Sequence, residues 1–192
     1  GQELFECYAE AKEVFQEVDD ALGQNLSQLM FSGEADDLNM TENTQPALMA
    51  VSVAATRVLE KQGGFALPDK ADYVAGHSLG EYSALTAAGS FALSDAARLL
   101  KLRGQAMQRA VPAGEGAMAA ILGLDYDVVH TIAADAAACD ICAAANDNSN
   151  GQVVVSGHKE AVERALSLAS ERGAKKAVLL PVSAPFHCAL ME

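Results

Sequence analysis

Positive charge is scarce in this chain: 13 Lys and Arg stand against 26 Asp and Glu over 192 residues, a formal net charge of −13. Phosphate recognition needs clustered Lys and Arg, so nucleic acid is not expected as a partner. Long apolar runs are missing as well. No stretch approaches the roughly 18 consecutive apolar residues of a membrane span, and the opening GQELFECYAEAKEVFQEVDD lacks a basic segment followed by an apolar one, so neither a span nor a secretory leader is expected. Cysteine is sparse too. Cys7, Cys139, Cys142 and Cys188 make one C-x-x-C and two singles, neither a disulfide framework nor a four-ligand zinc set, which fits a reducing cytoplasm and no metal. The C-x-x-C lies in an Ala-rich stretch without the Trp, Gly and Pro surroundings of redox motifs, and is read as packing cysteines. What is abundant is apolar side chain, at 51% against 20% charged, which excludes disorder and a fibrous class and supports one or two globular domains.

Leu4, Tyr8, Ala11, Phe15, Val18 and Leu22 recur at three- and four-residue steps with Gly23 behind them, which predicts one amphipathic helix over 2–22. After the acidic, irregular SGEADDLNMTEN, Thr44 is the expected N-cap of a buried helix that carries Pro46 in its first turn and stops at Gly63-Gly64. A short strand is expected at Tyr73-Val74-Ala75, then the sharp Gly76-His77-Ser78-Leu79-Gly80, then a helix to Gly89 and a further helix from Ser94 to Pro112. Ala113-Gly114-Glu115-Gly116 reads as a linker. Beyond it the pattern is strand (AMAAILGL), helix, strand (ICAAAN), turn (DNSNG), strand (QVVVSG), helix and strand (KKAVLLPV). That βαββαβ order is the ferredoxin-like split motif, placed at 115–181. The chain then resumes with SAPFHCALME. Residues 1–114 supply helices for an α/β layer but only one strand, so the sequence is read as incomplete at both ends.

Gly76-x-Ser78-x-Gly80 between a strand and a helix is the nucleophile-elbow pattern, in which a strained turn presents the Ser oxygen and flanking glycines allow close packing. The Leu79 N–H can then face a developing oxyanion. A hydroxyl nucleophile needs a base, and four histidines are available. His77 adjoins the serine, where successive side chains diverge. His130 and His158 are read as structural or solvent-facing. His187, in Pro185-Phe186-His187-Cys188, lies where the chain returns from the small domain and is the candidate base. On the helix from Ser94, positions 96, 100, 103, 107 and 110 read Ala, Leu, Arg, Met, Ala, so Arg103 falls on the apolar stripe. A guanidinium there either snorkels, pairs with a core acid, or receives a carboxylate from outside.

GHSLGEYSAL (76–85), Arg103 with Met107, NDNSNGQVVVSGH (146–158) and LPVSAPFHCALM (180–191) together resemble the malonyl-CoA:acyl carrier protein transacylase family of bacterial-type fatty acid synthesis, over the whole chain. The resemblance implies an α/β-hydrolase-like large domain, 1–114 and again from 182, with the ferredoxin-like small domain inserted. It implies Ser78 as the nucleophile that becomes malonylated, His187 as its base, Leu79 as an oxyanion donor and Arg103 as the holder of the malonyl carboxylate. By the same resemblance Gln45, His77, Met107 and Phe186 are expected to line the substrate, and Asn146 and Asn148 to face the cleft. In Leu79 after the nucleophile and Phe186 before the histidine the chain resembles relatives that take malonyl units, which implies malonyl over methylmalonyl. Malonyl-CoA and acyl carrier protein are the implied partners, with no cofactor. Lys175, Lys176 and Arg172, or Lys101, Arg98 and Arg109, are candidate docking cations for the acidic carrier. The family's opening strand with its GQGSQ loop, which carries the second oxyanion donor, and its C-terminal segment are not found in this sequence. Two rivals stand beside this reading: a serine esterase or thioesterase of the α/β-hydrolase class, and a non-catalytic acyl-carrier-binding module. The esterase needs an acid between Ser and His, and Asp125, Asp127, Asp135, Asp140 and Asp147 all fall inside the ferredoxin-like unit.

Overall fold

A computed structural model describes residues 1–112, 114–182 and 184–192. Ala113, in the expected linker, and Ser183, at the start of the returning segment, lie outside the described residues. The chain divides into two compact units, Gly1–Gln105 and Ala106–Glu192.

The first unit is built from helices: α1 (Gln2–Cys7), α2 (Ala9–Leu22), α3 (Leu26–Ser32), α4 (Ala35–Asn39), α5 (Thr41–Gly63), α6 (Gly80–Ala87) and the start of α7 (Leu93–Ala110). The expected stripe is the buried one. Ala11, Val14, Phe15 and Val18 of α2 pack with Met49, Ala50, Val53 and Ala54 of α5 and with Ala96, Ala97 and Leu100 of α7 in one core. Gly23 and Gly64 end α2 and α5 in the left-handed region, at φ 57° and 64°, which a residue without a Cβ adopts at little cost.

Three expectations need correction. The single helix over 2–22 breaks at Tyr8, whose backbone is extended (φ −130°, ψ 125°). In a straight helix Phe5 and Phe15 would stand about 15 Å apart along the axis; with the break their ring centroids are 5.9 Å apart, and both meet Phe31 at 5.3 and 5.4 Å. That aromatic cluster outweighs one interrupted turn. Helix α5 begins at Thr41 rather than after Thr44, and the preceding acidic stretch holds α4. Thr44 Oγ1 instead donates to the Leu38 carbonyl at 2.6 Å, so its hydroxyl ties α4 to α5. Finally, Tyr73-Val74-Ala75 is not a strand. Tyr73 is 92% exposed, and among the described residues of this unit there is no other strand to complete a ladder.

The second unit carries β1 (Gly116–Leu122), α8 (Tyr126–Ala137), β2 (Cys142–Ser149), β3 (Gln152–His158), α9 (Lys159–Glu171) and β4 (Lys176–Leu179). The βαββαβ order is that expected, and the sheet runs β2-β3-β1-β4 with every neighbouring pair antiparallel. Ala119, Ile121, Val153 and Val155 pack against Val129, Ile132, Val162 and Ala165 of the helices, while Met118, Ala120 and Val154 point to the other face with Phe186. This is the period-two alternation of a strand. The turn expected over DNSNG is tighter: Ser149 pairs with Gln152, leaving Asn150-Gly151 as a two-residue hairpin loop, with Gly151 at φ 75°. Among the described residues no helix is long and apolar enough to cross a membrane, and no cluster of three or more His, Cys, Asp or Glu is arranged to hold a metal ion.

Candidate functional site

The segment before α6 makes a sharp elbow. Ser78 has φ 54°, a conformation that non-glycine residues occupy rarely and that clusters at functional positions. The Gly80 N–H donates to the His77 carbonyl at 2.9 Å, Glu81 N–H to Ser78 O at 3.2 Å and Tyr82 N–H to Leu79 O at 3.0 Å, so the helix starts immediately after the serine. No backbone carbonyl among the described residues accepts the Leu79 N–H. The two framing glycines are not equivalent, contrary to expectation. A Cβ on Gly76 would sit 1.9 Å from the Gly80 carbonyl carbon and oxygen, whereas a Cβ on Gly80 meets nothing within 4 Å. Gly76 is required by the close approach; Gly80 supplies the backbone that is approached.

Arg103 reaches this elbow from α7. Its Nη2–H donates to Ser78 Oγ at 3.3 Å, its Nη1–H donates to Gln45 Oε1, and the guanidinium carbon lies 6.0 Å from the Tyr82 ring centroid. The arginine is half-buried rather than buried. Among the described residues no carboxylate pairs with it: the arginine ion pairs are Arg57–Glu17, Arg98–Asp95, Arg164–Asp140 and Arg172–Asp135. Its guanidinium is turned towards Gln45 and Ser78. A cationic fork held by an amide and a ring, beside a hydroxyl, can take an anionic oxygen pair.

The structure thus brings Gln45, Ser78 and Arg103 together, with Leu79 on the elbow and His77 exposed beside it. Sequence reasoning missed Thr41, Tyr82 and Gly104. Thr41 Oγ1 accepts from Gln45 Nε2 at 2.9 Å. Gly104 lets α7 lie on the first turn of α5, since a Cβ there would be 2.5 Å from Glu42 Cα. Its sole sequence signal is a glycine in an otherwise strong helix former.

In the second unit His187 has φ 60°, the same uncommon region as Ser78, and its side chain is exposed. The segment around it is anchored. Pro185 is buried against Gly116, where a Cβ would lie 2.3 Å from the ring, Phe186 packs on the open face of the sheet, and the Cys188 thiol donates to the Pro185 carbonyl at 3.2 Å. Met107 is half-buried one turn beyond Arg103 along α7, and Asn146 is half-buried on β2, where Asn148 is exposed. His130 is exposed, and His158 Nδ1 accepts the Ile141 N–H at 2.9 Å, a structural tie at the head of β2. Of the docking candidates, Lys101 is engaged with Gln24, Asn43 and Glu42, Arg98 with Asp95, and Arg172 with Asp135.

The C-x-x-C divides between two environments. Cys142 is buried at the start of β2, and burial pushes its thiol up to about 11 from 9.0, partly opposed by Arg164 and reinforced by Cys188. Cys139 is exposed rather than packed. Because the folded state holds the Cys142 proton more tightly, its contribution to stability is complete below pH 9 and is lost as the pH rises towards 11. At pH 8, iodoacetamide is expected to modify Cys7 and Cys139 at least about tenfold faster than Cys142, as peptide mapping would register.

The chain is an α/β protein with a serine on a glycine-framed elbow and, against it, an arginine that no carboxylate among the described residues pairs with. The chain belongs to the acyl transferase domain family, whose model matches residues 1–192. It is 51% identical over 185 residues to the malonyl CoA-acyl carrier protein transacylase of Escherichia coli K12, covering 96% of this chain and 59% of that protein. It is 45% identical to the protein of the same name from Bacillus subtilis 168, covering 100% and 59%. The chain therefore spans about three fifths of the length of these relatives. Among solved structures, an acyl-carrier-protein-S-malonyltransferase from Bartonella henselae superposes with a TM-score of 0.93 at 57% identity, covering 99% of this chain and 60% of that one. A malonyl-transacylase solved in complex with its type II PKS acyl-carrier protein superposes at 0.91 and 47% identity, covering 98% and 60%.

Proposed function

We propose that the protein transfers a malonyl group from malonyl-CoA to the pantetheine thiol of acyl carrier protein through a malonyl-serine intermediate. The observation that carries this reading is Arg103, unpaired by any carboxylate among the described residues and 3.3 Å from Ser78 Oγ. Ser78 Oγ attacks the thioester carbonyl while its proton passes to His187, and the Leu79 N–H faces the oxyanion that forms. The C–S bond breaks, the proton returns to the departing sulfur, and CoA leaves as the thiol. The carrier's thiol then attacks the acyl-serine ester by the same route and restores the Ser78 hydroxyl. Arg103 binds the free carboxylate throughout, with Gln45 holding the guanidinium and His77, Met107 and Phe186 lining the acyl group. Binding energy at a remote carboxylate is what distinguishes malonyl from acetyl in this scheme. The chemistry requires no cofactor or metal, and malonyl-CoA and acyl carrier protein are the partners, in the cytoplasm.

For the architecture, we read residues 115–181 as a ferredoxin-like domain inserted into an α/β-hydrolase-like domain formed by 1–114 and resumed from 182. The names of the relatives, and the carrier complex of one of them, support the functional reading, and the βαββαβ order with its four-stranded antiparallel sheet supports the small domain. The test is intact mass after incubation with malonyl-CoA and, separately, acetyl-CoA, with Ser78→Ala as control. A malonyl adduct on the unmodified protein, absent from the control and at least about tenfold weaker with acetyl-CoA, is the expected result. An equal adduct from both thioesters would overturn the assignment of Arg103, and none at Ser78 would overturn the activity.

A further inference from the structure

Thr41 opens α5 and is 5% exposed, and Gln45, one turn later, is 3% exposed. The four-residue spacing sets both side chains on one face of the helix. The direction of the Gln45 amide follows from counting donors. A guanidinium offers N–H groups and no acceptor, so only Gln45 Oε1 can face Arg103. The amide NH2 must then point the other way, into a buried position where an unmet donor is costly. Thr41 Oγ1 accepts it there at 2.9 Å. Gly104, the residue after Arg103, closes the same junction from the other helix: a Cβ would lie 2.7 Å from the Thr41 carbonyl oxygen. Thr41 is therefore held at backbone contact with α7 while its side chain braces the amide that holds the arginine.

We propose that Thr41 is a positioning residue for carboxylate recognition: its hydroxyl keeps the Gln45 oxygen on Arg103 and so fixes the guanidinium where the acyl carboxylate meets it. This rests on the malonyl-transfer reading above. Hydrogen bonds link Thr41 to Gln45, Gln45 to Arg103 and Arg103 to Ser78, so Thr41 acts through Gln45. Its loss weakens the hold on a carboxylate-bearing acyl group and leaves the reactivity of Ser78 towards an uncharged reagent in place.

The test compares the complete protein with Thr41→Val, which keeps the shape and removes the hydroxyl, and Thr41→Ser, which keeps the hydroxyl. Expected is a rise of about tenfold in KM for malonyl-CoA in Thr41→Val, with KM within about twofold of the unmodified protein in Thr41→Ser. The rate at which diisopropyl fluorophosphate labels Ser78 stays the same in all three. An unchanged malonyl KM in folded Thr41→Val, or a loss of fluorophosphate labelling as large as the loss with malonyl-CoA, overturns the role. Should Thr41→Val fail to fold by circular dichroism, Thr41→Cys, with a poor acceptor of similar size, makes the same comparison. Absence of a malonyl adduct on the unmodified protein removes the malonyl reading and this role with it. An adduct there, with KM unmoved in the variants, removes the role alone.

Discussion

Exchange of Arg103 for alanine is expected to lower kcat/KM for malonyl transfer by about 100- to 1000-fold, and for acetyl transfer by no more than about tenfold. The asymmetry follows from what the guanidinium touches. Among the described residues its partners are neutral, an amide oxygen, a hydroxyl and an aromatic face, so on the proposed reading its positive charge is left for the acyl carboxylate. A charge-assisted, two-point hydrogen bond in a half-buried site is worth several times its value in water. Acetyl carries nothing for the fork to hold. Arg103→Lys is expected to recover only part of the loss, because an ammonium is a point charge without the planar pair of donors. Parallel progress curves with malonyl-CoA and acetyl-CoA decide the matter, and equal losses with both would sink the role.

Gly76→Ala is expected to destabilise the protein by about 3 kcal/mol and to abolish acylation of Ser78. The added methyl would sit 1.9 Å from the Gly80 carbonyl carbon and oxygen and 2.3 Å from the Glu81 nitrogen. All three are backbone atoms in the first turn of α6, so no side chain can swing aside. Relief requires opening the elbow, which removes the turn that holds Ser78 at positive φ. Gly80→Ala is the matched control, since nothing lies within 4 Å of its Cβ position; its stability is expected to stay within about 0.5 kcal/mol. Urea unfolding, followed by intact mass after malonyl-CoA treatment, reads both effects. Similar behaviour of the two variants would mean that the approach at Gly76 is not what shapes the site.

The symmetric motif Gly-x-Ser-x-Gly thus conceals an asymmetric structure. Spacing reveals where a tight turn falls, but which glycine is compressed depends on the direction in which the helix leaves. The same limit explains Tyr73-Val74-Ala75. Its apolar residues suggested a strand, yet a strand is defined by the neighbour that takes its N–H groups, and composition carries no record of one. Helix α1 broke from α2 for a related reason, because a periodic stripe is satisfied equally well by one helix or by two that bend to bring Phe5 onto Phe15 and Phe31.

Where order in the chain directly encodes geometry, the sequence was sufficient. Glycines at 23 and 64 end helices because the left-handed cap needs no Cβ, and strand and helix periods of 2 and 3.6 fixed the βαββαβ unit. The same helical period put Arg103 on the inner side of α7 before any partner was known. What the period could not supply was the partner itself. Arg103 meets Gln45 across 58 positions and Ser78 across 25, and Thr41 enters only because Gln45 has a second end to satisfy. Periodicity reports which face of a helix is turned inward. Only the packing of α5, α6 and α7 decides what stands opposite, because a contact between distant residues depends on the crossing of the helices, and at Gly104 that crossing is set by the absence of a single methyl group.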